Sequence, residues 1–202
     1  LEQAGARKII CVFDENSLGD VRWHTGHKGQ QEHYRYVLER VLDTPWLGAI
    51  FKPKNPGNLR KRLGPVNELL IAAEKTGRCT ILEKKYYVRT IEPVLLAGLA
   101  ADLCIHGHLC AGTAALECAL EGLPTLLINR ENATFSKLNE LPGGKVVFDN
   151  WPDTIEAVMD HFQTPGGIPG FGEWGDDFLQ EMDPFRDGKA AYRMGTYMKW
   201  LM

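Results

Sequence analysis

Short apolar runs alternate along this chain with polar turns and with longer stretches of helical spacing. Lys8 to Phe13 (KIICVF), Leu47 to Phe51, Thr80 to Leu82, Leu103 to Ile105, Leu126 to Ile128 and Val146 to Phe148 have the length and continuity of buried strands. Between them, Gln31 to Asp43 places Tyr34, Val37, Leu38, Val41 and Leu42 at helical spacing. Asn58 to Lys75 reads as a second helical stretch, interrupted at Gly64-Pro65, and Ile91 to Ala101 as a third. Thr113 to Glu121 follows, with Leu116 and Leu120 on one face, and Asp153 to Phe162 ends the series, with Asp153 or Thr154 near its cap. This alternation predicts an α/β fold built on a parallel sheet with helices on both faces.

The rhythm stops near residue 163. Thr164 to Gly175 is rich in glycine and proline and reads as a linker. MDPFRDGKAAYRMGTYMKWL then closes the chain on an amphipathic helix carrying Tyr192, Tyr197 and Trp200. Residues 1–163 are therefore expected as one domain, and 164–202 as linker and helical tail. A length of 202 residues suits that organisation. The formal charge of −3 gives no basic signature for nucleic acid, and no apolar run approaches the ~18–20 residues of a bilayer span. No signal-peptide pattern is visible, and five scattered cysteines form no disulfide framework, which makes cytosol the natural compartment. The chain opens on Leu1-Glu2 and enters a strand almost at once, so it is expected to be an excised piece of a larger protein.

The chemistry concentrates between Asp102 and Glu131. His106-Gly107-His108 ends a strand, and Ala111-Gly112-Thr113 opens a helix. A small-residue loop leading into a helix lets backbone N–H groups approach a diphosphate, which the helix dipole also favours. Thr113 adds a hydroxyl, and Glu117, one turn later and about 40° round the helix, could accept from a ribose beside that diphosphate. Equally, Glu117 could be a solvated surface charge. His106 and His108 could donate to the diphosphate or sugar from their loop, and Arg130 ends the next strand at the same edge. After the first strand, a loop from Ser17 to Gln31 carries Arg22, His24, His27 and Lys28, of which Arg22, His27 and Lys28 could neutralise phosphate. Lys52, at the end of the second strand, could contact a phosphate as a point charge. Tyr86 or Tyr87 could stack on a base. Cys104, Cys110 and Cys118 contain no Cys-x-x-Cys pair, and His24 with His27 lacks completing ligands, so no metal site is expected. Cys104 and Cys118 read as small core hydrophobes.

AGTAALECALEGLPTLL resembles the nucleotide-sugar segment of GT-B glycosyltransferases, and its AGTAALE part is similar to lipid A disaccharide synthase. The Asp-Pro-Phe-x-Asp-Gly tail is similar to that of bacterial surface-polysaccharide biosynthesis proteins. Lys52-Pro53 matches part of a Lys-Pro-His-Pro-like element in polysaccharide and teichoic-acid transferases, without its histidine. The specific match spans about 20 residues. It implies one Rossmann-like half of a GT-B fold, the donor-binding half of a glycosyltransferase in surface polysaccharide or glycolipid biosynthesis. Gly112 and Thr113 would meet the donor phosphates and Glu117 the ribose, with Gly122 as the later glycine. Ala111 replaces the serine of many relatives. No cofactor is implied beyond the nucleotide-sugar substrate. The saccharide or glycolipid acceptor would be bound mainly by an N-terminal half outside this chain, in the cytoplasm, with peripheral association at the inner face of the membrane an option. A catalytic base is not identified. The alternatives are a non-hydrolysing nucleotide-sugar 2-epimerase and a non-catalytic scaffold of a polysaccharide assembly complex.

Overall fold

Residues 1–19, 26–82 and 93–201 are described by the computed structural model. Six strands, β1 (Lys8–Phe13), β2 (Leu47–Lys52), β3 (Cys79–Ile81), β4 (Leu103–His106), β5 (Thr125–Ile128) and β6 (Val147–Phe148), form one sheet. Its order is β3-β2-β1-β4-β5-β6, and every pairing is parallel. Strands buried on both faces have no polar face to show, which is why each reads as an unbroken apolar run. The two-residue pleat still sorts them. Ile10, Val12, Ala49, Phe51, Leu103, Ile105, Leu126 and Ile128 join one core. Ile9, Cys11, Phe13, Ile50 and Cys104 join the core on the opposite face.

Helices cover both faces. The first core is closed by α1 (His27–Asp43), α2 (Leu59–Leu63), α3 (Val66–Lys75) and α6 (Trp151–Gln163). The opposite face is closed by α4 (Val94–Leu99) and α5 (Thr113–Leu120). Packing there is tight because the residues are small. A Cβ at Gly98 would stand 2.7 Å from the Cys118 sulfur and 3.2 Å from that of Cys104. Both cysteines are buried core residues, as their apolar setting predicts. Arg78 joins the far ends of the elements. Its buried Nη1 donates toward the carbonyls of Val41, Thr44 and Leu47, each at 2.7 Å, satisfying the end of α1 and the start of β2.

Several boundaries differ from the sequence expectation. The helix expected from Gln31 begins at His27, so His27, Lys28 and Gly29 belong to its first turn and not to a loop. Gly29 is a poor helix former, but its carbonyl accepts from Arg130 at 3.1 Å, which holds that turn. The Asn58–Lys75 stretch is two helices, parted at Gly64 with φ +52°. The cap of α6 is Asn150, whose side chain accepts from the Asp153 N–H at 2.9 Å, in place of Asp153 or Thr154. An additional helix, α7 (Asp176–Met182), was not expected; its Leu179 enters the core beside α5. The helix expected over Ile91 to Ala101 is seen as α4, its first two residues lying outside the described set.

The glycine- and proline-rich stretch before α7 is packed, not a free tether. Phe171 and Trp174 are buried, Trp174 Nε1 donates to the Thr125 carbonyl at 2.8 Å, and Gly172 accepts from the Thr125 N–H at 2.9 Å. Its glycines permit this path: Gly172 has φ +77°, and a Cβ there would meet the Thr125 nitrogen at 2.7 Å. The last helix, α8 (Ala190–Leu201), forms as expected, but Tyr192, Tyr197 and Trp200 are all exposed. Gly172→Ala should therefore destabilise the whole domain by roughly 2–4 kcal/mol through strain and backbone clash. Urea unfolding checks this, and an unchanged midpoint would show the stretch to be dispensable to the sheet.

Candidate functional site at the carboxyl edge of the sheet

β1 pairs with β2 on one side and β4 on the other. The chain leaves β1 for α1 on one face and leaves β4 for α5 on the opposite face, so the two loops diverge and open a crevice. Ligands of open α/β sheets bind at such a switch point. The register aligns Phe13 with both Lys52 and His106. Lys52 is buried and lies two strands from His106, about 10 Å at the usual inter-strand spacing.

The turn into α5 has the features sought in the sequence. Gly112 is buried at the N-cap, and a Cβ there would meet Leu138 Cδ1 at 2.6 Å. No side chain caps the helix. The first-turn N–H groups of Thr113, Ala114 and Ala115 therefore remain available. Thr113 and Glu117, four apart, are both exposed, while Ala115, Cys118 and Ala119 are buried. Glu117 accordingly lies on the outward face with Thr113.

Behind this turn sits a buried polar corner built from three elements. His33 on α1, His106 and His108 at the end of β4, and Arg130 and Glu131 beyond β5 meet around Gly107. The His33 and His108 rings stack at 6.4 Å, and His33 stands edge-on to Trp151 at 4.7 Å. Gly107 makes this possible: a Cβ there would lie 2.0 Å from His33 Nδ1. Chemistry assigns the tautomers. Arg130 Nη2 lies 3.3 Å from His108 Nε2, and a guanidinium only donates, so Nε2 accepts. Nδ1–H of His108 then donates to Glu131 in a close contact. The His108 N–H donates to His106 Nδ1 at 3.2 Å, which leaves the His106 proton on Nε2. Arg130 continues to the Gly29 carbonyl and, at 3.3 Å, to Glu32, clamping the first turn of α1 to the end of β5.

Burial governs the charges here. It drives His33 well below the usual histidine range and lowers His106 to about 3, with the neighbouring histidines adding repulsion. For Glu131 burial pushes upward, but the hydrogen bond from His108 and the nearby positive charge of Arg130 outweigh it, and the carboxyl is held low. Both nitrogens of His33, Nε of Arg130, Oε2 of Glu131 and Nε1 of Trp151 are buried without a protein partner. Such atoms ordinarily cost stability, and their concentration in one corner marks it as something other than plain core.

His108, Arg130 and the turn of α1 that carries Lys28 are thus brought together, while Gly112, Thr113 and Glu117 line up along α5. His27 faces away from that corner, with its Nδ1 2.9 Å from Ser17 Oγ. In this state both ring nitrogens of His108 are engaged within the protein. Arg22, His24, Tyr86 and Tyr87 lie outside the described residues. Sequence reasoning missed His33, which it absorbed into an apolar helix. The signal was present: His33 is in phase with Val37 and Val41, a polar residue on a core stripe.

Comparison with solved structures finds a likeness of fold. The chain is similar to the C-terminal domain of a glycosyl transferase group 1 family protein, LpcC, from Francisella tularensis, known from a 1.35 Å crystal structure. The TM-score is 0.57 at 13% identity, covering 91% of this chain and 89% of the other. No protein-family model and no curated protein matches the sequence. The likeness establishes the fold as that of a GT-B C-terminal domain, a six-stranded parallel Rossmann-like sheet with helices around it.

The buried histidines give this site a pH signature. A histidine whose folded pKa is depressed binds fewer protons folded than unfolded, so stability is full above the unfolded value of 6.5 and falls as pH drops below it. His33 and His106 should each contribute a slope of up to about 1.4 kcal/mol per pH unit between about pH 6 and 5. Glu131 is held below its usual range and stays ionised across that window, whereas burial raises Asp14, which acts with the opposite sign, so the histidine contribution is read from the difference between the parent and the His106→Gln variant. Urea unfolding across these pH values checks the sign; His106→Gln should flatten the profile, and parallel profiles in parent and variant would show that the ring protonates without penalty.

Proposed function

We propose that this chain is the donor-binding half of a glycosyltransferase that uses a nucleotide-activated sugar. The observation that carries the reading is the entry to α5: a buried glycine, uncapped N–H groups, and Thr113 with Glu117 exposed along one face at the switch point of a GT-B-type sheet. The diphosphate lies at Gly112-Thr113, where N–H groups and helix dipole favour negative charge. The ribose hydroxyls donate to Glu117. Lys28 on the first turn of α1, and Arg130 clamped to that turn, supply positive charge to the departing nucleotide. Lys52 and His108 are further candidates around the same edge, whereas His27 is turned away from it. The resemblance of the sequence to surface-polysaccharide and glycolipid enzymes supports that pathway class. The acceptor is held mainly by another half, and the exposed Tyr192, Tyr197, Met198 and Trp200 of α8 supply apolar surface for it. No metal or cofactor is required by this scheme. The cytoplasm, including the inner face of its membrane, is the compartment that suits such a donor; no helix among the described residues is long and apolar enough to cross a bilayer.

This reading predicts that the 202-residue chain binds a nucleoside diphosphate and transfers no sugar by itself. Glu117→Gln keeps the side chain's shape and removes the charge, so nucleotide affinity should fall by about one to two decades. Its thermal unfolding should barely move, since Glu117 is exposed. Calorimetric titration with a panel of nucleotides checks both. Unchanged affinity for every nucleotide that the parent binds would reduce Glu117 to a surface charge.

A further inference from the structure

A second cavity opens on the other side of the α1 N-terminus. His27 and Gly29 are two residues apart, hence about 200° apart round the helix. Gly29 turns its carbonyl to Arg130, whereas His27 faces a cavity of about 560 Å³ between the loop after β1 and the start of α2. That volume is in the range of small-molecule pockets. Its polar lining comes from Asn16, Asn55, Asn58, Lys61 and Arg62 together with His27, above Ser17. Among the described residues no carboxylate lines it, and the ring that does is the His27 imidazole.

The lining is held from below. Ser17 is 2% exposed, and its hydroxyl donates to Gln30 Oε1 at 2.5 Å. Gln30 Nε2 donates in turn to Asp14 at 2.9 Å, as does the Tyr34 hydroxyl at 2.8 Å. With the Ser17 proton committed to Gln30, His27 must donate from Nδ1 to Ser17, which leaves His27 Nε2 for a ligand. Arg62 is fixed by Asn16 Oδ1 at 2.6 Å and the Asn55 carbonyl at 2.5 Å. All these partners of Arg62 are neutral, so no contacting carboxylate cancels its charge. Lys61 is exposed at the rim, and none of the ion pairs among the described residues includes it. Asn58 precedes α2 without using its side chain as a cap.

We propose that this cavity binds a phosphorylated saccharide, at a site separate from the α5 turn. Lys61 and Arg62 neutralise the phosphate, the side-chain amides both donate to and accept from sugar hydroxyls, and Leu18 offers an apolar contact to a ring face.

The test is titration calorimetry of the 202-residue chain with glucose 6-phosphate, glucose and inorganic phosphate, each alone and with UDP present. Glucose 6-phosphate should bind at least about tenfold tighter than either fragment, as paired charge and hydroxyl contacts require. Lys61→Ala should weaken it by roughly tenfold or more, and Asn58→Ala should reduce its advantage over inorganic phosphate. Both positions are exposed, and thermal unfolding of each variant verifies the fold. UDP should not compete, and Glu117→Gln should leave glucose 6-phosphate binding unchanged. Failure of every nucleotide of the panel to bind would sink the donor-half reading and leave this site standing. Inorganic phosphate binding as tightly as the sugar phosphate, competition by UDP, indifference to Lys61→Ala, or no binding of glucose 6-phosphate would each overturn the second site.

Discussion

The contact of His33 with Gly107 fixes the carboxyl edge of this sheet. A side chain of any size at 107 would occupy the space of the imidazole, so glycine there lets α1 pack down onto the end of β4. Two loops that must diverge at the switch point are thereby joined at their roots. The Arg130 clamp adds a second tie, from β5 to the same turn of α1. Between them, these contacts determine where Lys28 and the α5 turn stand relative to each other.

That arrangement costs stability. An apolar residue at position 33 would fill the core stripe without burying two unpaired nitrogens. Trp151, Glu131 and Arg130 add further unpaired atoms around the same point. A scaffold selected for stability alone has no need of a polar corner here, and departures of this kind gather at functional sites. The corner lies directly behind the loop that enters α5, so its shape is transmitted to the first-turn N–H groups through a backbone with little freedom: β4, Gly107, His108 and one short turn.

The fold was legible in the sequence because parallel strands carry their burial in their composition. KIICVF and LCIH have no polar alternation to confuse, and the helices between them keep a regular apolar stripe. The boundaries that moved did so for tertiary reasons. Gly26, Lys28 and Gly29 do not predict a helical turn, which exists because Arg130, 101 residues later, bonds to it. The packed path of Phe171 to Trp174 looked like a linker because its glycines serve positive φ, and composition does not distinguish a strap from a tether. Within the site, Gly112, Thr113 and Glu117 were legible from a local motif. The His33 corner was not, since it draws on α1, β4 and the segment after β5, and no short window contains all three.

One consequence follows from the position of α1. Its first turn is a wall between two polar spaces, with His27 on one side and the Gly29 carbonyl, Arg130 and His108 on the other. Read as a loop, His27 and Lys28 would share one phosphate with Arg130. As a helix turn they cannot converge so freely, because their directions are set by the helix at about 100° per residue. The polar groups of this edge are therefore divided: Arg130 and His108 meet on one side of the turn, and His27 lines the cavity of Lys61 and Arg62 on the other. The proposal of a second anion site rests on this division by a rigid helix turn.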